Sequence, residues 1–217
     1  MKYNYPKIDL HLHLDGSILP QTAWELVQAQ GIEVPAKDLE SFIPLIMVPK
    51  DCKDVNECLE RFEIPVQILQ DKASLERVTK ELIGWLVKEG VAYAEIRFAP
   101  QLHTRKGLTQ RDAIDAVLAG REAGLQEHTE IGIGIILCAM SIGAETVNMA
   151  ENLETVRLTK EYLGKGVVAL DLAGGEGNVP LSSFAPIFDL ARELGVPYTC
   201  HAGDSQGPET VEDALNF

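Results

Sequence analysis

The stretch IGIGIILC at residues 131–138 decides the predicted fold. It is apolar on both faces, which is typical of a strand buried between two layers of helices. Runs of similar length that are rich in apolar residues lie on either side of it in the sequence, at residues 91–98, 167–172 and 196–201. Amphipathic helical patterns separate these runs, at residues 109–128, 148–163 and 182–194. Strands that alternate with single helices form parallel sheets, so the sequence predicts an α/β protein.

A further strand near the start of the chain, at residues 7–15, brings the predicted number of strands to five. Five such units are compatible with an open doubly wound sheet and with part of a closed barrel. No Gly-x-Gly-x-x-Gly motif, which binds dinucleotide phosphates in open sheets, follows the first strand. Gly132 and Gly134 lie inside a predicted strand, where small residues suit a crowded barrel interior. The residues alone leave both architectures open.

Residues 20–89 separate the first strand from the second by much more than one βα connection requires. One helical pattern starts near Pro20 and ends at Gly31, and a second runs from Ser74 to Gly90. Short apolar runs interrupted by prolines lie between them. This stretch predicts a helical lid or side wall inserted after the first strand.

Two histidines lie on one face of the first predicted strand. Side chains alternate along a strand, so His11, His13 and Asp15 point to the same side. We expect the four aliphatic side chains on the opposite side to pack against covering helices. They are Ile8, Leu10, Leu12 and Leu14. Imidazoles at positions i and i+2 can bind one metal ion at about 2.0–2.1 Å. The alternative is an ordinary pair of polar residues at a sheet edge.

A third histidine, His201, ends the fifth predicted strand. The carboxyl ends of parallel strands lie at the same edge of a sheet, so its imidazole can face His11 and His13. Three neutral imidazoles with open coordination positions are typical of a catalytic zinc site. For His201 on its own, a packing or capping role is the alternative. We expect His128 to lie at the surface or to cap a helix, and the role of His103 stays open.

The composition excludes several classes of partner. The 217 residues include 33 acidic and 19 basic ones, and the formal net charge is −14. Nucleic acids and anionic membranes require a basic surface, so we expect neither as a partner. No apolar run approaches the roughly 20 residues of a membrane span, and the first six residues leave no room for a secretory leader. The four cysteines have no Cys-x-x-Cys spacing, so we expect a cytoplasmic protein with reduced cysteines.

Three motifs carry a resemblance to a known family. They are DLHLHLDGS at residues 9–17, DLAGGE at residues 171–176 and HAGD at residues 201–204. Together they resemble the adenosine deaminase family, whose members are metal-dependent (β/α)8 barrels of the amidohydrolase superfamily. The resemblance implies a single TIM-barrel domain, of which residues 1–217 supply about the first five βα units with a helical insertion at about residues 20–89. It also implies zinc-dependent hydrolysis of adenosine, a purine nucleoside, to inosine and ammonia, with one Zn²⁺ per site.

The same resemblance assigns His11, His13 and His201 as metal ligands and Asp204 as the acid that protonates the purine ring. The family normally has glutamate where this chain has Asp204. Aspartate is one methylene shorter, and a misplacement of about 1 Å can reduce a rate on the order of a hundredfold. The alternative is that Asp204 caps the helix that follows it.

Substrate contacts are implied for His13, Asp15 and Gly174. Glycine at position 174 would let the backbone approach the purine closely. Asp15 would bind a ribose hydroxyl, which favours a nucleoside over a free base. Without the resemblance, Asp15 and Gly174 are ordinary turn residues. Two positions depart from the family pattern, because Gly175 replaces an acid and Ser141 replaces an arginine.

Members of this family continue beyond the end of this chain, and there they supply a further histidine and a metal-binding aspartate. No histidine follows His201 here. We therefore expect the chain alone to be a poor catalyst and its open sheet edges to promote self-association. The alternative functions are an adenine deaminase or another metal-dependent amidohydrolase, and a non-catalytic half-barrel that binds a metal or a purine.

Overall fold

The computed structural model describes residues 5–52, 55–143 and 146–216. Its centre is a parallel sheet in which the order of the strands follows their order in the chain. The strands are β1 (Lys7–His13), β2 (Val91–Phe98), β3 (Gly132–Ser141) and β4 (Val167–Gly174). All three pairs of neighbours are parallel, which confirms the prediction from alternating apolar runs and helices.

Nine α-helices lie in the described part of the chain. They are α1 (Pro20–Gln30), α2 (Leu39–Ile46), α3 (Val55–Glu60), α4 (Glu63–Ile68), α5 (Lys72–Lys88), α6 (Gln110–Glu127), α7 (Met149–Tyr162), α8 (Ala185–Leu194) and α9 (Pro208–Leu215). Helices α1 to α5 lie between β1 and β2, which confirms that the long connection is helical. Among these helices, none combines the length and the apolar character that crossing a bilayer requires.

Local sequence explains where the principal helices begin and end. The Asp71 carboxylate accepts a hydrogen bond from the Ser74 amide at the start of α5, at 2.9 Å. Thr109 and Asp112 form a reciprocal capping box at the start of α6. Gly31 ends α1, as predicted. Side-chain caps of this kind contribute about 1 kcal/mol each, because they satisfy amides that have no partner within the helix.

The prediction of a fifth strand is wrong. Tyr198 forms only an isolated parallel bridge with Leu170 of β4, so the described residues contain four strands rather than five. The segment nevertheless follows β4, because the amides of Thr199 and His201 donate to β4 carbonyls and the Leu170 amide donates to the Pro197 carbonyl, each at 2.9 Å. Proline has no amide hydrogen to extend this ladder. The short ladder still places His201 beside the end of β4.

The prediction that helices cover the whole outward face of β1 is also wrong. We expected all four aliphatic side chains of this strand to be covered, but Ile8 is 67% exposed and Leu10 is 54% exposed. Leu12 is partly buried and Leu14 is fully buried. β1 has one neighbouring strand, β2, and the described helices leave the first half of its outer side uncovered. Alternation predicts which side a residue faces, but not whether another element covers that side.

The inner side of the sheet is as crowded as the glycines of β3 predict. A Cβ atom on Gly134 would lie 2.9 Å from Cγ2 of Val168 and 3.1 Å from the hydroxyl oxygen of Tyr93. The first of these separations is shorter than van der Waals contact allows, so a side chain at Gly134 would push these neighbours apart. The glycine therefore serves close packing on this face rather than a turn.

Candidate metal centre

Three imidazoles meet at the carboxyl ends of the strands. The Nε2 atom of His11 lies 3.3 Å from Nε2 of His13 and 2.9 Å from Nε2 of His201. The Nε2 atoms of His13 and His201 are 3.2 Å apart. His11 and His13 come from the end of β1, and His201 follows the short ladder beside β4. The structure thus brings together the three histidines that the sequence singled out, although 188 positions separate the last two.

The spacing of these nitrogens fits one metal ion. A tetrahedral ion with nitrogen ligands at about 2.0–2.1 Å keeps those nitrogens roughly 3.3 Å apart. The three observed separations are close to that value, and within the described residues no other group of three His, Cys, Asp or Glu side chains offers such a cluster. Three ring nitrogens facing one another at this distance require a proton or a cation between them. The donor set suits zinc.

His201 is oriented by two oxygen atoms of β4. Its Nδ1 atom lies 2.9 Å from Oδ2 of Asp171 and 3.2 Å from the carbonyl oxygen of Leu172. Because both are acceptors, the proton of the neutral ring belongs on Nδ1, which leaves the lone pair of Nε2 for a metal. Burial alone would lower the pKa of His201, but its contact with the Asp171 carboxylate outweighs burial and raises the pKa.

Arg97 connects the two sides of the centre. Its guanidinium is buried and donates one hydrogen bond to Oδ2 of Asp171 at 2.9 Å and another to the Leu10 carbonyl of β1 at 2.8 Å. Burial would raise the pKa of Asp171, but the contact with His201 and the charge of Arg97 outweigh burial and lower it. Asp171 therefore remains ionised. Its negative charge is shared between an arginine and a histidine.

Sequence reasoning missed the site roles of Arg97 and Asp171. A signal was present in the sequence, because each is a charged residue inside a predicted strand that is rich in apolar residues. Charged side chains are almost never fully buried unless they are paired. Their pairing could not be read from the sequence, because the two residues are 74 positions apart and come from strands that are not neighbours in the sheet.

The two β1 histidines are in a different electrostatic environment. Burial, followed by repulsion from His201 and His11, lowers the pKa of His13 to about 4. Burial, followed by the charge of Arg97, also lowers the pKa of His11. Both rings are therefore neutral at pH 7, which is the form that binds metal ions. Phe62 covers His13 edge-on, with the ring centroids 6.1 Å apart, so the connection between β1 and β2 forms one wall of the centre.

Asp15 does not lie on the strand face that alternation predicts. β1 ends at His13, and Asp15 starts a short 3-10 turn (Asp15–Ser17). Its Oδ1 atom accepts the Gly16 amide at 3.1 Å. The side chain is buried, and this burial raises the pKa of the carboxyl to about 6. The strand prediction is therefore too long by two residues, and the ribose contact of Asp15 stays a prediction.

Gly174 lies at a close approach of two chain segments. Its φ is +109°, and a Cβ atom there would lie 2.4 Å from the carbonyl oxygen of Ser141, so no other residue fits this position. The Ser141 hydroxyl donates to the Gly175 carbonyl at 2.9 Å, and the Gly175 amide donates back to the Ser141 carbonyl at 3.1 Å. The two positions that depart from the family pattern are therefore in direct contact. These residues line a cavity of about 330 Å³ that also reaches His201 and Ala202.

Asp204 lies in the exposed loop between His201 and α9. Its negative charge favours the protonated forms of His11 and His201, as expected for a carboxylate near the metal centre. The helix-cap alternative is wrong, because Gly207 occupies the cap position of α9 and no side chain caps this helix. The acid role of Asp204 stays a prediction.

The two remaining histidines lie outside the centre. His128 follows the last residue of α6 as its C-cap, which confirms the expected capping position. His103 is fully buried in a 3-10 turn after β2, with its ring centroid 5.9 Å from that of Phe98. Burial lowers the pKa of His103 to about 4. Neither residue belongs to the described cluster of metal-binding groups.

Comparisons with known proteins agree with this geometry. The family model described as adenosine deaminase matches residues 6–217. A curated adenosine deaminase from Haemophilus ducreyi is 45% identical over 216 residues, which cover 98% of this chain and 62% of that protein. The chain thus spans less than two thirds of the length of this relative.

Solved structures show the same architecture. The N6-mAMP deaminase of Arabidopsis has a TM-score of 0.80 and 25% identity, over 97% of this chain and 63% of that chain. An amidohydrolase from Burkholderia ambifaria, solved with bound Zn, has a TM-score of 0.82 and 21% identity, over 97% of this chain and 56% of that chain. The described sheet and helices therefore form part of a TIM barrel. On the match of the family model and the 45% identity, this chain belongs to the adenosine deaminase family.

Proposed function

We propose that this chain carries the metal-binding part of a zinc-dependent hydrolase that deaminates adenosine to inosine and ammonia. The observation that carries the proposal is the convergence of the His11, His13 and His201 Nε2 atoms within 3.3 Å of one another. Membership in a metal-dependent deaminase family gives this cluster its chemical context. The substrate class is a purine nucleoside, a small molecule that an acidic protein can bind without a basic surface.

Zinc would be held by the three Nε2 atoms. When bound, zinc would act as a Lewis acid that lowers the pKa of water towards 7, so that hydroxide is available at neutral pH. The protein residues prepare the ligands for this ion. Asp171 holds the proton of His201 on Nδ1, and Arg97 keeps Asp171 ionised while binding the backbone of β1. His11 and His13 are neutral without the help of a partner, because burial lowers the pKa of each.

The remaining roles concern the substrate. We assign Asp204 as the group that donates a proton to the purine ring, since it lies in the loop directly after the ligand His201. Gly174 would bring the backbone to the purine at the mouth of the cavity, and His13 would face the same molecule. Asp15 would bind a ribose hydroxyl, for which its buried carboxyl would have to exchange its contact with the Gly16 amide.

Two alternatives give different experimental results. An adenine deaminase would release ammonia from the free base rather than from the nucleoside. A non-catalytic half-barrel would bind zinc or a purine but release no ammonia.

The test combines metal analysis with an ammonia-release assay on adenosine and on adenine. We expect about one zinc ion per chain, lost in the double variant His11→Ala, His13→Ala and retained in the matched control His128→Ala. Equal zinc in the double variant and the control would contradict the assigned ligands. Release from adenosine supports the deaminase, release only from adenine supports the first alternative, and zinc binding without release supports the second.

Three further features stay predictions. The cytoplasmic location is one of them, and it is supported by Cys58, Cys138 and Cys200, which are outside disulfide bonds. Residues 1–217 are proposed to form a single domain. The chain is proposed to associate with itself through β1, whose residues Ile8 and Leu10 expose apolar surface at a free sheet edge.

A further inference from the structure

Glu176 follows β4 and holds the loop that leads into α9. Its Oε1 atom accepts hydrogen bonds from the Gly203 amide at 2.6 Å and from the Thr210 hydroxyl at 2.7 Å. Its Oε2 atom accepts the Ser205 amide at 2.7 Å and the Gln206 amide at 3.1 Å. One carboxylate therefore satisfies three backbone amides of a single loop and ties that loop to the first turn of α9.

The backbone amides that donate to Glu176 lie on both sides of Asp204 in the sequence. Gly203 precedes it and Ser205 follows it, and both donate to the same carboxylate. The carboxylate of Asp204 itself forms no hydrogen bond or ion pair with the described residues, and its side chain is exposed. The position of Asp204 is therefore set by its backbone rather than by contacts of its own.

The charge of Glu176 suits this task. Burial would raise its pKa, but the amides of Ser205 and its neighbours, together with the Thr210 hydroxyl, outweigh burial and lower the pKa to about 2. A carboxylate that accepts several amides stays ionised and makes stronger hydrogen bonds than a neutral group. Glutamine has the same shape but only one acceptor oxygen. Its amide group would face two backbone amides as a donor.

We propose that Glu176 is a positioning residue, which places Asp204 beside the metal centre by holding the backbone amides on either side of it. This inference rests on the proposed function, in which Asp204 donates a proton to the substrate. Aspartate at position 204 has a shorter side chain than the glutamate that is usual in the family, so the position of the loop backbone determines whether the carboxylate reaches the substrate. A shift of about 1 Å would move the side chain out of reach of the reacting atom.

The first test needs no catalytic activity. In the zinc-loaded full chain, hydrogen exchange of the amides of residues 203, 205 and 206 and the χ1-dependent NMR couplings of Asp204 are compared between the wild type and Glu176→Gln. We expect exchange to accelerate by about tenfold or more, since charge-assisted hydrogen bonds are lost. The Asp204 couplings should shift towards values averaged over rotamers, and the zinc content should stay at one per chain.

Glu212→Gln is the matched control, because it removes the same charge from an exposed position of α9. We expect it to leave exchange and couplings unchanged. Thr210→Val is a milder second variant, which removes one contact of Glu176 and should accelerate exchange of the Gly203 amide alone. Unchanged exchange and unchanged Asp204 couplings in Glu176→Gln would overturn the proposal, whether or not the wild type deaminates adenosine.

The second test separates positioning from general stability. Where the wild type turns over adenosine, Glu176→Gln should lower kcat with little change in KM. The double variant Glu176→Gln, Asp204→Asn should be no slower than Asp204→Asn alone, because Glu176 acts through Asp204. A further loss in the double variant would contradict this route. Because loop exchange is measured independently of turnover, an inactive wild type with accelerated loop exchange in Glu176→Gln would support the loop-holding role but give no support to deamination by this chain.

Discussion

The two sides of the metal centre are built differently. On the β4 side, His201 contacts a fully buried carboxylate, and Asp171 is in turn paired with Arg97. On the β1 side, His11 is exposed and lies on an edge strand whose pairing with β2 is irregular between Asp9 and Leu12. The β4 side is held in place by its own buried network. The β1 side depends on contacts that reach it from elsewhere.

One side chain joins the two sides. The Arg97 guanidinium contacts Asp171 of β4 and the Leu10 carbonyl of β1. The difference between the two sides teaches that the metal ligands are not equally preorganised. It also identifies an interaction of the buried network through which the ordered side can position the exposed one.

The largest effect should follow from removing Arg97. Arg97→Met leaves Asp171 buried without its arginine partner, which typically destabilises by roughly 3–5 kcal/mol. Arg97→Lys should be less harmful, because lysine keeps the charge but cannot reach two acceptors in the same geometry. Urea unfolding of the metal-free chain measures both. The matched control is Arg111→Met, which breaks a half-exposed ion pair with Glu161 and should cost about 0–1 kcal/mol. Equal losses for Arg97→Met and Arg111→Met would refute the distinction between the two pairs.

Leucine truncations compare the packing of the same two strands. Leu170 of β4 is fully buried among side chains of α8, so Leu170→Ala should destabilise by roughly 2–5 kcal/mol. Leu10 of β1 is 54% exposed, and Leu10→Ala should change stability by about 0.5 kcal/mol or less. Both are measured by urea unfolding at a protein concentration where the chain is monomeric. A loss of more than 2 kcal/mol for Leu10→Ala would mean that another element covers β1 in solution.

Zinc affinity tests the orienting role of Asp171. Asp171→Asn keeps the size of the side chain but removes the charge that holds the proton of His201 on Nδ1. We expect zinc to bind about 10–100-fold more weakly, as is typical when the partner of a metal-binding histidine is lost. Competition with a chelator gives the dissociation constant. Asp189→Asn, in an exposed ion pair of α8, is the control and should bind zinc as the wild type does.

The smallest effect concerns association through β1. The double variant Ile8→Lys, Leu10→Lys places charge on the exposed edge strand, where charge prevents strand pairing. We expect the apparent molar mass of the wild type, measured by light scattering, to rise with protein concentration. The apparent molar mass of the double variant should stay at the value of a monomer. The pair Val211→Lys, Leu215→Lys on α9 serves as a control, because it adds equal charge to another exposed apolar surface. Association that is lost only in the α9 variant would place the contact there instead.

The sequence predicted the parts of this molecule that depend on local pattern. The boundaries of β2 were predicted to the residue, because a stretch rich in apolar residues runs from Val91 to Phe98 and Pro100 follows it. Convergence of the three histidines followed from alternation along a strand and from the common edge of parallel strands. Gly134 was recognised as a packing glycine for the same local reason.

The missed features depend on contacts between distant segments. Arg97 pairs with Asp171, and Glu176 accepts hydrogen bonds from the loop around Asp204. Both interactions join residues that are more than 25 positions apart. Ile8 and Leu10 have the alternation of a buried face, but the pattern does not show whether a helix covers it. The prediction of a fifth strand did not account for Pro197, which has no amide hydrogen and so limits the hydrogen-bond ladder beside β4.

X-ray absorption of the zinc-loaded chain measures the coordination of the ion itself. The geometry predicts three imidazole nitrogens at about 2.0–2.1 Å, with one of them lost in His201→Ala. Cysteine sulfur at about 2.3 Å, or a shell made only of oxygen atoms, would contradict the assignment of His11, His13 and His201 as the metal ligands.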